Sequence, residues 1–210
     1  MLRAAVAIAD SDGVEALTMR RLARALDAEA MSLYHHVRNK DDVLDGVVDL
    51  IAGEVNDAVE QLDGPSAGAA WKQAARRRIL TAREVFLRHP WAPRVFENRT
   101  TTSFQVVLYH DRLVGLLRAG GFSYDLAHHA LHALGSRALG FSQELFDPGD
   151  AGADAEIPPE MAAAVPDLVG MLAEVAHDDP GSTLGWCDDQ FEFEFGLDLI
   201  LDGLDRLRER

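Results

Sequence analysis

Residues 18–40 read Thr18-Met19-Arg20-Arg21-Leu22-Ala23-Arg24-Ala25-Leu26-Asp27-Ala28-Glu29-Ala30-Met31-Ser32-Leu33-Tyr34-His35-His36-Val37-Arg38-Asn39-Lys40. Two short helices fit this stretch. Thr18 is a suitable N-cap for the first, because its side-chain oxygen can accept from one of the orphan amides at a helix start. Leu22, Ala23 and Leu26 then share one face. A second helix is expected from about Ala30 to Val37. Asp27 falls in the turn between them, where a left-handed residue is often needed and Asp is one of the few side chains that tolerates it. Small Ala23 permits close approach, and Leu22, Leu26, Leu33 and Val37 form the packing set. Two helices so joined make a helix-turn-helix, whose second helix lies in a DNA major groove. Ser32, Tyr34, His35 and His36 are left facing outward, all able to hydrogen-bond.

The charge is uneven. The chain of 210 residues carries −15 overall, yet residues 18–40 carry +3 and residues 51–210 carry −12. A basic island on an acidic body suits a local contact with DNA, although the same five basic residues could simply solvate a helix. With 48% hydrophobic residues the chain can build a core. It has no apolar run of membrane-spanning length and no secretory signal at its start. Cys187 is the single cysteine, which fits a reducing compartment, so a cytoplasmic protein is expected.

Helical spacing continues almost throughout. A first helix is stopped by Gly13, and a fourth opens at Asn39 as cap, with Asp41 and Asp42 in its first turn. Its apolar stripe is Leu44, Val47, Val48, Ile51, Val55 and Val59. The segment from Asp63 to Gly68 breaks the pattern. Helices are then expected at 71–89, 100–119, 124–146, 166–176 and 184–208, with a loop at 147–160. One stretch competes: Phe191, Phe193, Phe195, Leu197 and Leu199 alternate with the period of a strand. No second strand exists to pair with it, and Leu197, Ile200, Leu201, Leu204 and Leu207 keep helical spacing, so a helix is expected.

At this spacing Thr18-Met19-Arg20-Arg21-Leu22-Ala23, with Leu33-Tyr34, His36-Val37 and Asn39-Lys40, resembles the DNA-binding domain of the tetracycline-repressor family. The match covers residues 1 to about 55. It continues more sparsely through Gly121-Phe122, Leu131 to Gly135, Leu139 to Phe141 and Phe195 to Leu199, which is similar to the ligand-binding half of the tetracycline repressors. The resemblance implies an all-α fold: a three-helix helix-turn-helix DNA-binding domain at 1–49, then a helical ligand-binding and dimerisation domain at 50–210. It implies a regulator rather than an enzyme, with no cofactor and no catalytic residue. Its partners would be a near-palindromic double-stranded operator, a second copy of the chain, and an unidentified small-molecule effector that releases the operator. Carried over by position, Thr18, Arg20, Ala30, Ser32, Tyr34, His36 and Lys40 are the DNA contacts. Arg20 has the fork that reads guanine or clamps a phosphate, and Lys40 is a point charge suited to phosphate.

In the larger half the resemblance implies a pocket, with Arg78, Phe96, Leu113, His128, Leu131 and Glu144 as its residues. Arg78 could equally be an ordinary surface residue. Phe96 stands where the tetracycline repressors have a histidine for the drug-bound magnesium, Leu113 where they have a glutamine, and Glu144 where they have a carboxylate. Without the histidine, magnesium-tetracycline is not the expected effector. His128 and His132 share a helix face and could ligate a metal, but two ligands are too few and no metal site is assigned. A helical metalloenzyme built on Asp125, His128 and His132 is the rival reading; a protein-interaction module using residues 18–40 is another. One recognition helix reads only a few base pairs, so doubling by a two-fold axis is expected. Ala133, Gly140, Phe191, Phe195 and Leu199 are the interface candidates: small residues on one helix, and a second helix apolar over too much of its circumference for one core.

Overall fold

The structure is a computed structural model that describes residues 1–62, 68–99, 103–140, 159–167, 169–170 and 189–209. The described residues form helices and no strand. The first three are α1 (Leu2–Asp12), α2 (Met19–Ala25) and α3 (Ala30–Leu33), with one 3₁₀ turn at Val14–Ala16. Gly13 ends α1 at φ 80, a backbone value that its missing Cβ permits. Thr18 caps α2, its side-chain oxygen accepting from the Arg21 amide at 3.1 Å. Asp27 has φ 50, the one non-glycine residue at positive φ among those described. The α3 helix is shorter than the spacing predicts. After Leu33 the amides of Tyr34, His35 and His36 bond back three residues, to Met31, Ser32 and Leu33. The chain therefore tightens into turns before Val37.

Helix α4 (Lys40–Glu60) opens with Asn39 accepting from the Asp42 amide at 2.9 Å. At 21 residues it is about 31 Å long, and it runs from the helix-turn-helix into the larger half. There follow α5 (Trp71–Arg88), α6 (Ala92–Glu97), α7 (Phe104–Ala119), α8 (Tyr124–Gly140), α9 (Pro159–Ala164) and α10 (Asp189–Arg208). Helix α6 is absent from the sequence expectation, which leaves 90–99 between two helices. Pro93 sits in its first turn, where a missing amide costs nothing. Helix α7 starts at Ser103, which caps the Val106 amide, rather than at Thr100. Pro159 and Glu160 open α9 rather than closing a loop. The breaks expected at 63–67 and 147–158 lie outside the described residues, as do the first turns expected for the last helix.

Two cores stack along the molecule. The first gathers Ala5, Ile8, Leu17, Leu22, Leu33, Val43, Val47 and Ile51 with Ala82, Val85 and Ala92, so α1–α4 share one interior with the end of α5 and with α6. The second gathers Trp71, Ile79, Leu113, Leu117, Phe122, Ala130, Phe193, Leu197 and Leu201. Tyr109 packs against both. Gly120 lets the second core close: a Cβ there would lie 2.6 Å from the Trp71 Cβ. Trp71 in turn meets Phe122 edge-on at 4.6 Å.

Candidate nucleic-acid interface and ligand cavity

On α2 and α3 the apolar residues turn inward and the polar ones outward. Leu22, Ala23 and Leu33 are buried, while Thr18, Arg20, Met31, Ser32, Tyr34, His35 and His36 are exposed and Ala30 half-buried. Partners then sort the basic island. Arg21 pairs with Asp12, and Arg38 grips Asp42 through two bonds of 2.9 Å. Arg38 and its amide hold the Asp42 carboxyl below its ordinary pKa. Lys40 donates to the Val14 carbonyl at 3.2 Å, which fixes the start of α4 against the 3₁₀ turn. Arg20 and Arg24, one turn apart, are exposed and have no carboxylate partner among the described residues. Arg24 is a cation that sequence reasoning passed over; its spacing of four from Arg20 was the available signal. Of the predicted contacts, Thr18, Arg20, Ser32, Tyr34 and His36 are thus exposed, and Ala30 and Lys40 are half-buried.

An apolar cavity of about 110 Å³ lies where α4, α5, α6, α7 and α8 converge, lined by Ala52, Val55, Ala82, Phe86, Phe96, Val106, Tyr109, His110 and Gly135. The cavity can hold less than one benzene, which fits an engineered space of about 150 Å³. Phe86 and Phe96 close one side edge-on at 5.3 Å. Polar groups stand just behind the walls. Asn56 is buried and donates to the Gln105 carbonyl at 2.9 Å. Arg78 is 8% exposed and lays its guanidinium 4.6 Å above the Tyr109 ring.

Helix α6 joins the two regions. Phe96 faces the cavity while Arg94 approaches Glu15 at 3.7 Å. Just beyond α6, Arg99 binds Asp41 at 2.9 Å and Asp45 at 2.6 Å, both in the first turns of α4. On the other side, His89 and Trp91 both reach Asp10 of α1, at 2.8 and 2.7 Å. A cavity wall is thus bonded directly to the helix-turn-helix unit.

Comparison with known proteins bears on both regions. Residues 1–47 match the family described as bacterial regulatory proteins, tetR family, and residues 64–208 match the tetracyclin repressor-like C-terminal domain. The chain belongs to the tetracycline-repressor family. It is 38% identical over 122 residues to an HTH-type transcriptional regulator of Saccharopolyspora erythraea, covering 58% of this chain and 49% of that relative. The chain thus spans about half the length of that protein. It is 29% identical to the transcriptional repressor DrrR1 of Streptomyces coeruleorubidus, over 99% of this chain and 76% of DrrR1. Its fold is similar to that of ActR, a TetR family protein of Streptomyces coelicolor crystallised with (S)-DNPA: TM-score 0.71, 27% identity, 97% of this chain and 94% of that one. The first two relatives are named as transcriptional regulators, and the chain carries both the N-terminal and the C-terminal domain of the family.

Within that frame the predicted pocket residues do not all meet. Phe96 lines the cavity, and Arg78 stands behind Tyr109. Leu113 is buried in the second core and Leu131 packs against it, while His128 is exposed on α8. Glu144 lies outside the described residues. Ala52, Val55, Phe86, Tyr109 and His110 were missed, although Arg78, Ala82 and Phe86 at successive fours mark one face of α5. His128 and His132 meet through their Nε2 atoms at 3.1 Å. Among the described residues no third ligand joins them. No described helix is long and apolar enough to cross a membrane.

Proposed function

We propose that the chain is a ligand-responsive repressor acting in the cytoplasm as a homodimer. Residues 1–49 hold a near-palindromic operator through Thr18, Arg20, Ala30, Ser32, Tyr34, His36 and Lys40. Residues 50–210 hold the effector and the dimer axis. The observation that carries this reading is the continuity of α4, which starts at Lys40 beside the helix-turn-helix and carries Ala52 and Val55 on the cavity wall. Drug-sized ligands occupy roughly 300–1,000 Å³, so entry into a cavity of about 110 Å³ must move a wall. Six-residue α6 is the wall with least helix to resist, and Arg99 carries its displacement onto Asp41 and Asp45. The recognition helices then lose the spacing of about 34–36 Å that two half-sites require.

Dimerisation is supported by α10. Phe191, Phe195 and Leu199 recur every four residues and are 61, 54 and 56% exposed, an apolar stripe that a monomer leaves in water. Ala133 on α8 is half-buried, and Gly140 closes that helix; both are proposed to sit against the partner's helices. Selection of bound sequences from random duplex DNA tests the whole reading. The expected result is a consensus with two inverted half-sites, bound with steep salt dependence. Absence of any enriched sequence would refute it.

A further inference from the structure

Arg78 is placed where a cation is costly. Its side chain is nine-tenths buried, its Nε finds no acceptor among the described residues, and its hydrogen-bond contacts are to Tyr109, to the side chain and, at a long 3.4 Å, to the carbonyl. Burial pushes its pKa down, yet a guanidinium does not give up its proton in a protein, so the charge stays. The carboxylate that acts on it from a distance is Glu60. Glu60 is already paired with Arg112, which repels Arg78 and itself has a buried, unbonded Nη1. Among the described residues, two cations therefore share one carboxylate, in a chain whose net charge is −15. Buried charges are ordinarily paired, and an unpaired one is retained at a cost to stability.

The position of this excess charge is informative. Arg78, Ala82 and Phe86 lie one turn apart on α5, and the last two line the cavity. Tyr109 has one side on the cavity and the Arg78 guanidinium over its ring. The remaining walls are hydrocarbon and aromatic, Val55, Val106, Phe86 and Phe96 among them, together with His110, whose Nδ1 lies 2.8 Å from the Val106 carbonyl.

We propose that the effector is a planar aromatic acid, its ring held between the phenylalanines and its carboxylate taken by Arg78. This rests on the cavity being the effector site and specifies what enters it. A carboxylate matches the guanidinium fork with two parallel bonds, and the bond is stronger away from water. The tyrosine ring that now faces the cation would be displaced or shared.

The probes are 2-naphthoate and its neutral isostere 2-naphthamide, titrated calorimetrically into the full chain. The acid is expected to bind at least tenfold more tightly than the amide. Arg78→Met is expected to bring the two within twofold, and Arg78→Lys to restore part of the preference. Ligand-free Arg78→Met should melt no lower than the wild type, since an apolar side chain replaces an underpaired charge. Equal affinities in the wild type, or a preference that survives Arg78→Met, would overturn the proposal. So would a large loss of melting temperature in that variant, because Arg78 would then be serving the fold. Failure of both compounds to bind a protein that still selects a palindrome removes the aromatic acid and leaves the regulator. A preference for the acid in a protein that selects no DNA sequence keeps Arg78's role and removes the regulator.

Discussion

Single residues carry two kinds of information here, one about the ligand and one about the frame. Lys40 reaches the Val14 carbonyl and is also a proposed phosphate contact. Lys40→Ala should weaken every duplex by a similar factor, and the slope of log K against log salt should fall by about 0.9 for the lost phosphate contact. An unchanged slope in a filter-binding or anisotropy series would remove Lys40 from the interface. Gly120 belongs to the frame alone. Its φ of −76 suits any residue, but Trp71 occupies the space of a Cβ. Gly120→Ala should therefore destabilise by about 1–3 kcal/mol, as overpacked core sites do, with operator preference intact; calorimetry and DNA binding together check this. Phe96 decides a third matter. Its ring packs on Phe86 and offers no metal donor, so tetracycline with magnesium should neither raise the melting temperature nor release DNA. Release at micromolar drug would contradict that.

Among the elements, α10 resolves the competing period in its sequence. Residues two apart on a helix are separated by about 200°, so alternation places successive members on nearly opposite faces. Phe193, Leu197 and Leu201 are buried in the second core, while Phe191, Phe195 and Leu199 point away from it. Each buried member stabilises by about 1.5–3 kcal/mol. The polar edge of α10 is tied to α5: Arg76 binds Asp198 at 2.7 Å and Glu194 at 2.5 Å. Gln190 first, then Arg76, holds the Glu194 carboxyl below its ordinary 4.5. A depressed carboxylate stabilises fully above its unfolded-state pKa and loses that contribution as pH falls through the folded-state one. The melting temperatures of wild type and Arg76→Met should therefore differ most near pH 6 and converge below pH 4.5. A gap that stays constant down to pH 3 would show that the pair contributes nothing to the acid response.

At the scale of the whole molecule, the apolar stripe on α10 predicts assembly. Phe195→Asp with Leu199→Asp would set four carboxylates around a two-fold axis. The expected product is a monomer of 23.0 kDa by light scattering, with helix content kept and operator binding lost. A wild-type monomer that binds a palindrome tightly, one chain per site, would remove the basis of the dimer. The proposed coupling between cavity and DNA must be reciprocal: an effector that weakens operator binding tenfold must itself bind tenfold more weakly to the DNA complex. Titrating the effector with and without operator measures both sides of that cycle.

What is legible in the sequence alone is local in its physics. The Thr18 and Asn39 caps, the left-handed Asp27 and the end of α1 at Gly13 depend on residues within a few positions of one another, and the structure reproduces each. The helix-turn-helix is legible for the same reason, being built from nearby residues. Residues far apart in sequence account for the rest. Arg78 meets Tyr109 across 31 positions, and Arg99 meets Asp41 across 58. Whether a given arginine ends exposed, paired or buried with too few acceptors is settled by such distant neighbours. The same is true of the cavity, which five helices enclose and no single stretch encodes. Propensity and capping act along the chain, whereas burial and charge pairing act across it, so the frame is legible in the sequence and the chemistry of the cavity is not.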